Sequence, residues 1–194
     1  PPILGVQYWG TYHFAYFSVC TQSSISGAFN LFSNHASSSC VIVAQFMKTR
    51  GLFAASFQHY FSPKEPHLYF LLRQGPVCFI FLDTGEDKPD SDIEYHGITD
   101  YDNYRTEQAK WLSEIVKSPD FLDAKFKVVI AHMPPLPDQD LWHGQGEVLE
   151  KFVPILNDAQ VDVMLSGHLH QYFNNKPTDK VHFPVIDNSS NNST

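Results

Sequence analysis

Short apolar runs alternate with an amphipathic stretch in the central part of the chain. Residues 67–72 and 77–82 are apolar and rich in aromatic side chains, and they flank the turn-forming sequence 74–76, so they predict two strands joined by a turn. Residues 106–117 carry apolar side chains on one helical face and charged side chains on the other, which predicts a helix. The intervening segment 86–102 has seven acidic residues and one lysine, which favours an exposed loop.

Two further apolar runs predict buried strands. Residues 127–131 are β-branched and lead directly into His132-Met133-Pro134-Pro135, where the prolines end the strand. Residues 161–165 lead into Gly167-His168-Leu169-His170, and residues 147–157 between the two strands have helical spacing with a kink at a proline. Strands alternating with helices predict an α/β fold, in which ligands collect at the carboxyl ends of the strands.

Three histidines follow these two strands. A single loop histidine is more often an ordinary surface or structural residue than a ligand. His132, His168 and His170 would meet at one edge of the sheet, however, and three imidazoles together favour a metal site. Imidazole binds Zn, Fe, Mn and Co alike, so the residues do not select the metal.

Composition narrows the classes of function. The chain has 194 residues and is 43% hydrophobic, enough for one domain with a sizeable core. A formal charge of −8 and the absence of a basic stripe argue against nucleic acid as a partner. The three cysteines form no CxxC pair, and no apolar run reaches transmembrane length. The sequence leaves the oligomeric state open.

The charge distribution divides the chain near residue 47. Residues 1–47 contain no Asp, Glu, Lys or Arg, whereas all 13 basic and 21 acidic residues lie in 48–194. The first segment could be a buried part of a larger assembly or a low-complexity leader. We favour the hypothesis that it is not native sequence, arising from a shifted reading frame or a misjoined gene start. The chain begins with Pro rather than Met, so we expect its first residue to be a fragment edge.

Several motifs in the second segment resemble those of a known family. Residues 128–135 are similar to the fourth motif of the calcineurin-like metallophosphoesterases, and residues 167–170 resemble their closing Gly-His-x-His. Residues 75–87 and 104–112 are similar to the purple-acid-phosphatase-like bacterial branch. The resemblance runs from about Thr49 to about Asn188 and covers the C-terminal part of such a domain.

This resemblance implies a two-layered α/β sandwich with a dinuclear centre of divalent or trivalent ions, Fe, Zn or Mn. A hydroxide that bridges the ions would attack the phosphorus of a small phosphate ester. His132 and His168 would ligate one ion, His170 would ligate the other, and His143 would face the substrate or be a plain loop histidine. Relatives of this branch are often exported, but the sequence itself assigns no compartment.

The earlier motifs of the family are not found in this sequence. Asp-x-His, Gly-Asp-x-x-Asp and Gly-Asn-His-Asp/Glu are all missing, and the first Asp in the chain is Asp83. Phe46 stands where relatives have an Asn ligand, and Met47 stands where they have a catalytic histidine. We therefore expect a phosphoric-ester hydrolase by family whose activity is impaired in this chain, with an incomplete fold. The alternative is a non-catalytic remnant that binds at most one metal ion through its three histidines.

The sequence also contains two arginines that could contact phosphate, and it lacks the motifs of other hydrolase classes. Arg73 and Arg105 could contact phosphate on grounds of charge, although packing or surface roles are favoured. The sequence contains no Gly-x-Ser-x-Gly nucleophile motif, no P-loop, and no cysteine with a suitable histidine partner. A hydrolase of another mechanism is therefore the weakest reading.

Overall fold

The computed structural model describes residues 68–137, 141–169 and 172–187 in full, together with the backbone of two earlier strands. These strands, β1 (Phe14–Cys20) and β2 (Cys40–Phe46), pair antiparallel, with Phe14 opposite Phe46. Most of residues 1–47 lie outside the described residues, as does His170. The hypothesis that residues 1–47 are not native therefore stays a prediction.

A six-stranded mixed sheet forms the centre of the described region. Its strands are β3 (Phe70–Gln74), β4 (Val77–Leu82), β5 (Phe126–Ala131), β6 (Val163–Ser166), β7 (Phe173–Asn175) and β8 (Val185–Asp187). Their order in the sheet is β3-β4-β5-β6-β8-β7. The four central strands run parallel, and β3 and β7 are antiparallel to their neighbours at the two edges. The residues that follow β4, β5, β6 and β8 therefore lie together at the carboxyl ends of these parallel strands.

Four helices are present in the described residues: α1 (Tyr101–Ile115), α2 (Pro119–Leu122), α3 (His143–Lys151) and α4 (Val153–Asp158). A short 3-10 helix, Ile93–Tyr95, lies in the acidic segment. The predicted kink is confirmed, because α3 ends at Lys151 and α4 restarts with Pro154 in its first turn. None of the described helices is both long and apolar enough to cross a membrane.

Both faces of the central strands are buried. Ile80 and Leu82 of β4 pack in one cluster with Leu112 of α1, Val148 of α3 and Leu156 of α4. The alternate residues of the same sheet, Phe79, Phe81 and Ile130, form a second buried cluster on the opposite face. Burial on both faces explains why β4 and β5 are continuous apolar runs rather than alternating patterns. The sheet, its strand order and its helices establish the predicted α/β fold.

The first turn of α1 depends on a carboxylate from the preceding loop. Asp90 accepts hydrogen bonds from the N–H groups of Tyr101 (2.8 Å) and Asp102 (3.0 Å). The residue directly before the helix, Asp100, makes no side-chain cap of this kind. α1 begins five residues before the predicted start at residue 106, because Asp90 satisfies donors that would otherwise lack partners.

We predict that Asp90→Ala lowers the free energy of unfolding by about 1 kcal/mol at neutral pH, the usual worth of a helix cap. Burial would raise the pKa of Asp90, but the hydrogen bonds from the N–H groups of Asp102 and Tyr101 outweigh it and hold the pKa below its ordinary value of 3.8. The contribution is therefore fully present above pH 3.8 and is lost as the pH falls through the lower folded pKa. Urea denaturation of Asp90→Ala and of the control Asp100→Ala at pH 7 measures the difference; equal losses would contradict the capping role.

Candidate metal centre

Two of the three predicted histidines meet at the carboxyl edge of the sheet. His132 follows β5 and is buried, and His168 follows β6 and is half-buried. His168 Nδ1 lies 3.2 Å from His132 Nε2, and the two rings are nearly perpendicular, with centroids 5.0 Å apart. The parallel pairing of β5 with β6 produces this approach, because both strands end at the same height.

The separation of the two nitrogens suits a shared metal ion. Nitrogens that each lie about 2.1 Å from one ion are about 3.0 Å apart at a right angle and about 3.4 Å apart at a tetrahedral angle. The observed 3.2 Å falls between these values. A hydrogen bond between the rings also fits this distance, so the geometry is compatible with a metal without requiring one.

Hydrogen bonds on both sides hold the turn that carries His168. The N–H of Gly167 donates to the carbonyl oxygen of His132 at 3.2 Å, which joins the ends of β5 and β6. On the other side, Asp187 at the end of β8 accepts the N–H of His168 at 3.2 Å. Burial raises the pKa of Asp187 to about 6, against the N–H groups of Leu169 and His168, which lower it. This carboxyl group was not predicted from the sequence, because only the pairing of β6 with β8 brings it beside His168, and the spacing of the two residues does not show that pairing.

A second group of potential ligands lies between α1 and α3. Asp102, His143 and Glu147 bring ligand atoms within 4.8 Å of one another. His143 Nε2 is 2.8 Å from Asp102 Oδ1, and His143 is 37% exposed. Burial would raise the pKa of Asp102, but the hydrogen bond with His143 and the charge of Arg105 lower it.

Two cations already neutralise this second group. The fully buried Arg105 donates to Asp102 and Glu147, and Lys151 pairs with the other oxygen of Glu147. Two carboxylates and two cations sum to zero formal charge when His143 is neutral. A metal ion would have to compete with both cations for the same oxygens. The arrangement is therefore better described as an ion-pair network that fixes α3 against α1.

Comparison with known proteins assigns the chain to a family. Residues 48–172 match the family model of the calcineurin-like phosphoesterases. The chain belongs to this family. The match covers more than half of the chain and includes both His132 and His168.

Individual members and structural neighbours of the family match shorter stretches or parts of larger chains. Purple acid phosphatase 22 of Arabidopsis thaliana is 32% identical over 98 residues, which are 46% of this chain and 22% of that protein. A purple acid phosphatase, PPD1, from seeds of yellow lupin (Lupinus luteus) aligns in structure with a TM-score of 0.48 and 13% identity, covering 69% of this chain and 25% of that one. GAP50, described as the anchor in the inner membrane complex of Plasmodium, aligns with a TM-score of 0.40 and 19% identity, covering 65% and 38%. The chain thus spans only about a fifth of the length of the curated relative.

The remaining residues that the sequence singled out have structural contacts. Arg73 donates to the backbone oxygens of Gly75, Asp120 and Asp123, so its guanidinium joins β3 to the α2 segment. Arg105 also donates to the backbone oxygens of Thr84 and Glu86. These bonds match the packing roles that were favoured for both arginines over phosphate contact.

The start of α3 packs tightly against the loop after β4. The N–H of Gly144 donates to the carbonyl oxygen of Asp87 at 2.8 Å. A methyl group on Gly144 would overlap the carbonyl oxygen of Glu86 and lie 2.9 Å from Met133 Cε. The same group on Gly146, one half-turn later, would meet nothing within 4 Å. Glycine at 144 therefore permits the start of α3 to approach the loop after β4 and Met133 closely.

We predict opposite effects for alanine at these two glycines. Gly144→Ala should lower the free energy of unfolding by about 1–3 kcal/mol, because the backbone oxygen it meets cannot move without shifting the loop. Gly146→Ala should raise it by up to about 1 kcal/mol, since alanine is favoured over glycine inside a helix. Thermal denaturation of both variants measures the difference; equal stability would contradict the close packing of α3.

Proposed function

We propose that this chain is the C-terminal part of a metal-dependent phosphoric-ester hydrolase. The observation that carries the proposal is the 3.2 Å approach of His168 Nδ1 to His132 Nε2 in a member of the calcineurin-like phosphoesterase family. Purple acid phosphatase 22, a phosphatase by its name, is similar over part of this chain, which agrees with a phosphate-ester substrate. The substrate class is a small phosphate ester.

In this proposal His132 and His168 hold one ion, and His170, outside the described residues, holds a second. Two ions, when bound, supply a hydroxide nucleophile and neutralise the phosphoryl oxygens. His132 is buried, and backbone hydrogen bonds to the ends of β5 and β8 hold the turn that carries His168. Preorganised ligands of this kind reduce the entropy lost on binding an ion.

His143 is proposed as the residue that faces the substrate. It is the first residue of α3, and the next residue, Gly144, packs close to Met133, which follows His132 in the chain. Its Nε2 lies 2.8 Å from Asp102 Oδ1, which fixes the orientation of the ring, and an imidazole N–H is a suitable donor to a phosphoryl oxygen. Its 37% exposure leaves the ring accessible to a ligand.

Impaired activity is the second part of the proposal. The sequence has no Asp before Asp83, and Phe46 and Met47 occupy the positions of a ligand and a catalytic histidine in similar proteins. Two divalent ions held mainly by neutral imidazoles would lack the carboxylates that offset their charge. The alternative is a non-catalytic remnant that binds at most one ion through the three histidines.

Hydrolysis of p-nitrophenyl phosphate with Mn²⁺ or Zn²⁺ tests the activity of the chain. We expect turnover by the full chain to differ little from that of His168→Ala. Robust turnover that disappears in His168→Ala would show that the chain is a working enzyme and would overturn the impairment. Metal content per chain, measured by mass spectrometry, separates the alternatives. Two tightly bound ions exclude the remnant, whereas one weak ion or none favours it, and the complete absence of bound metal would also contradict the metal site.

A further inference from the structure

Asp187 is a buried carboxylate beside the proposed ligands. It is the last residue of β8 and lies opposite Ser166 in the parallel pairing of β6 with β8. Its side chain is fully buried, although carboxylates are rarely buried without a compensating role. The segment that follows Ser166 carries His168, so Asp187 lies where β6 leaves the sheet.

The two oxygens of Asp187 have different surroundings. Oδ2 accepts the backbone N–H of His168 at 3.2 Å, and the carboxylate also interacts with the N–H of Leu169. Within the described residues, Oδ1 accepts no hydrogen bond, and neither does the buried hydroxyl of Ser166 beside it. A buried charged oxygen without a partner is costly, so its presence at this position requires an explanation beyond packing.

We infer that Asp187 is a positioning residue, which holds the backbone of His168 so that its imidazole stays beside that of His132. Gly167 fastens the turn to the end of β5, and Asp187 fastens it to the end of β8. The turn is therefore held between two parallel strands, and the position of His168 does not depend on its own side-chain contacts alone. Groups of this kind behind metal ligands typically change metal affinity 10- to 100-fold when they are removed.

A carboxylate at this position also has an electrostatic effect. Its negative charge lies against the backbone of His168 and favours a cation beside the histidine pair. An asparagine side chain at the same position would supply a hydrogen-bond acceptor without the charge. Asp187→Ala removes both effects, and Asp187→Asn removes only the charge. Comparing the two variants therefore separates the positioning role from the electrostatic one.

Asp162 provides a matched control at the opposite edge of the sheet. Its Oδ2 accepts the N–H of Lys127 at 2.6 Å, so it also joins two neighbouring strands through a carboxylate and a backbone donor. It lies before β6, whereas His168 lies after it. Asp162→Ala should lower stability without affecting the histidines.

The first measurement is amide hydrogen exchange at His168 and Leu169 in the metal-free full chain. We expect Asp187→Ala to increase exchange at these two amides at least about 10-fold relative to the rest of the sheet. Asp187→Asn should restore most of the protection, because its amide oxygen can accept the same bonds. Asp162→Ala should leave both amides unchanged. Unchanged exchange in Asp187→Ala would overturn the inference.

The second measurement is Zn²⁺ affinity by competition with a chromogenic chelator. We expect 10- to 100-fold weaker binding in Asp187→Ala and no change in Asp162→Ala. An equal loss in Asp162→Ala would show a general stability effect and overturn the inference. This arm rests on the proposed function: if the unmodified chain binds no Zn²⁺, the metal site fails, whereas the exchange measurement still decides whether Asp187 holds His168.

Discussion

Arg105→Ala should lower the free energy of unfolding by about 3–5 kcal/mol, the usual cost of removing one partner from a buried ion pair. Arg105 is fully buried and makes four hydrogen bonds. Two go to the carboxylates of Asp102 and Glu147, and two go to the backbone oxygens of Thr84 and Glu86. Its removal leaves two negative charges and two buried carbonyl oxygens without this donor, and a cavity between α1, α3 and the loop after β4.

Two variants control for this effect. Lys110→Ala removes a cation from the same helix, but Lys110 forms only an exposed pair with Glu107, so its loss should change stability by less than about 0.5 kcal/mol. Arg105→Lys keeps the positive charge but loses the planar set of guanidinium donors, so its loss of stability should fall between those of Arg105→Ala and Lys110→Ala. Urea denaturation at pH 7 measures all three. A loss below about 1 kcal/mol in Arg105→Ala would contradict the role of Arg105 as the centre of the network.

His168→Ala should weaken Zn²⁺ binding by at least about 100-fold, or about 2.7 kcal/mol. The change removes one of the two nitrogens that lie 3.2 Å apart, and His132 alone cannot chelate an ion. His132→Ala should have a similar effect. Isothermal titration calorimetry with Zn²⁺ measures the affinity of each variant.

Two other histidines serve as controls for the same measurement. His182→Ala changes an exposed histidine and should leave the affinity within about twofold. His143→Ala tests the second group of potential ligands and should also change the Zn²⁺ affinity little, because Arg105 and Lys151 already pair with the carboxylates of that group. A larger loss of Zn²⁺ affinity in His143→Ala than in His168→Ala would show that the metal binds to the second group of potential ligands and would contradict the assignment.

The meeting of His132 with His168 follows from features that a sequence displays. Each histidine follows within three residues of an apolar run, and parallel strands bring the positions after them together at their carboxyl ends. β4 was predicted with its observed bounds because both of its faces are buried and turn residues precede it. The local sequence pattern was therefore sufficient to predict both the meeting of the two histidines and the bounds of β4.

Other features depend on contacts between distant residues and leave no local pattern. Asp90 starts α1 from a position eleven residues before Tyr101, so the predicted start of this helix was five residues late. Arg105 and Glu147 are 42 residues apart, and Asp187 is 19 residues from His168, so nothing in their spacing indicates that they pair. β7 has three residues, too few for a periodicity to be recognised.

The most direct test of the central claim is anomalous X-ray diffraction from crystals of the zinc-loaded chain. The account predicts a zinc peak bonded to both His132 Nε2 and His168 Nδ1, with nitrogen distances of about 2.0–2.1 Å. A peak bonded to Asp102, His143 and Glu147 instead, or none beside His132 and His168, would contradict it.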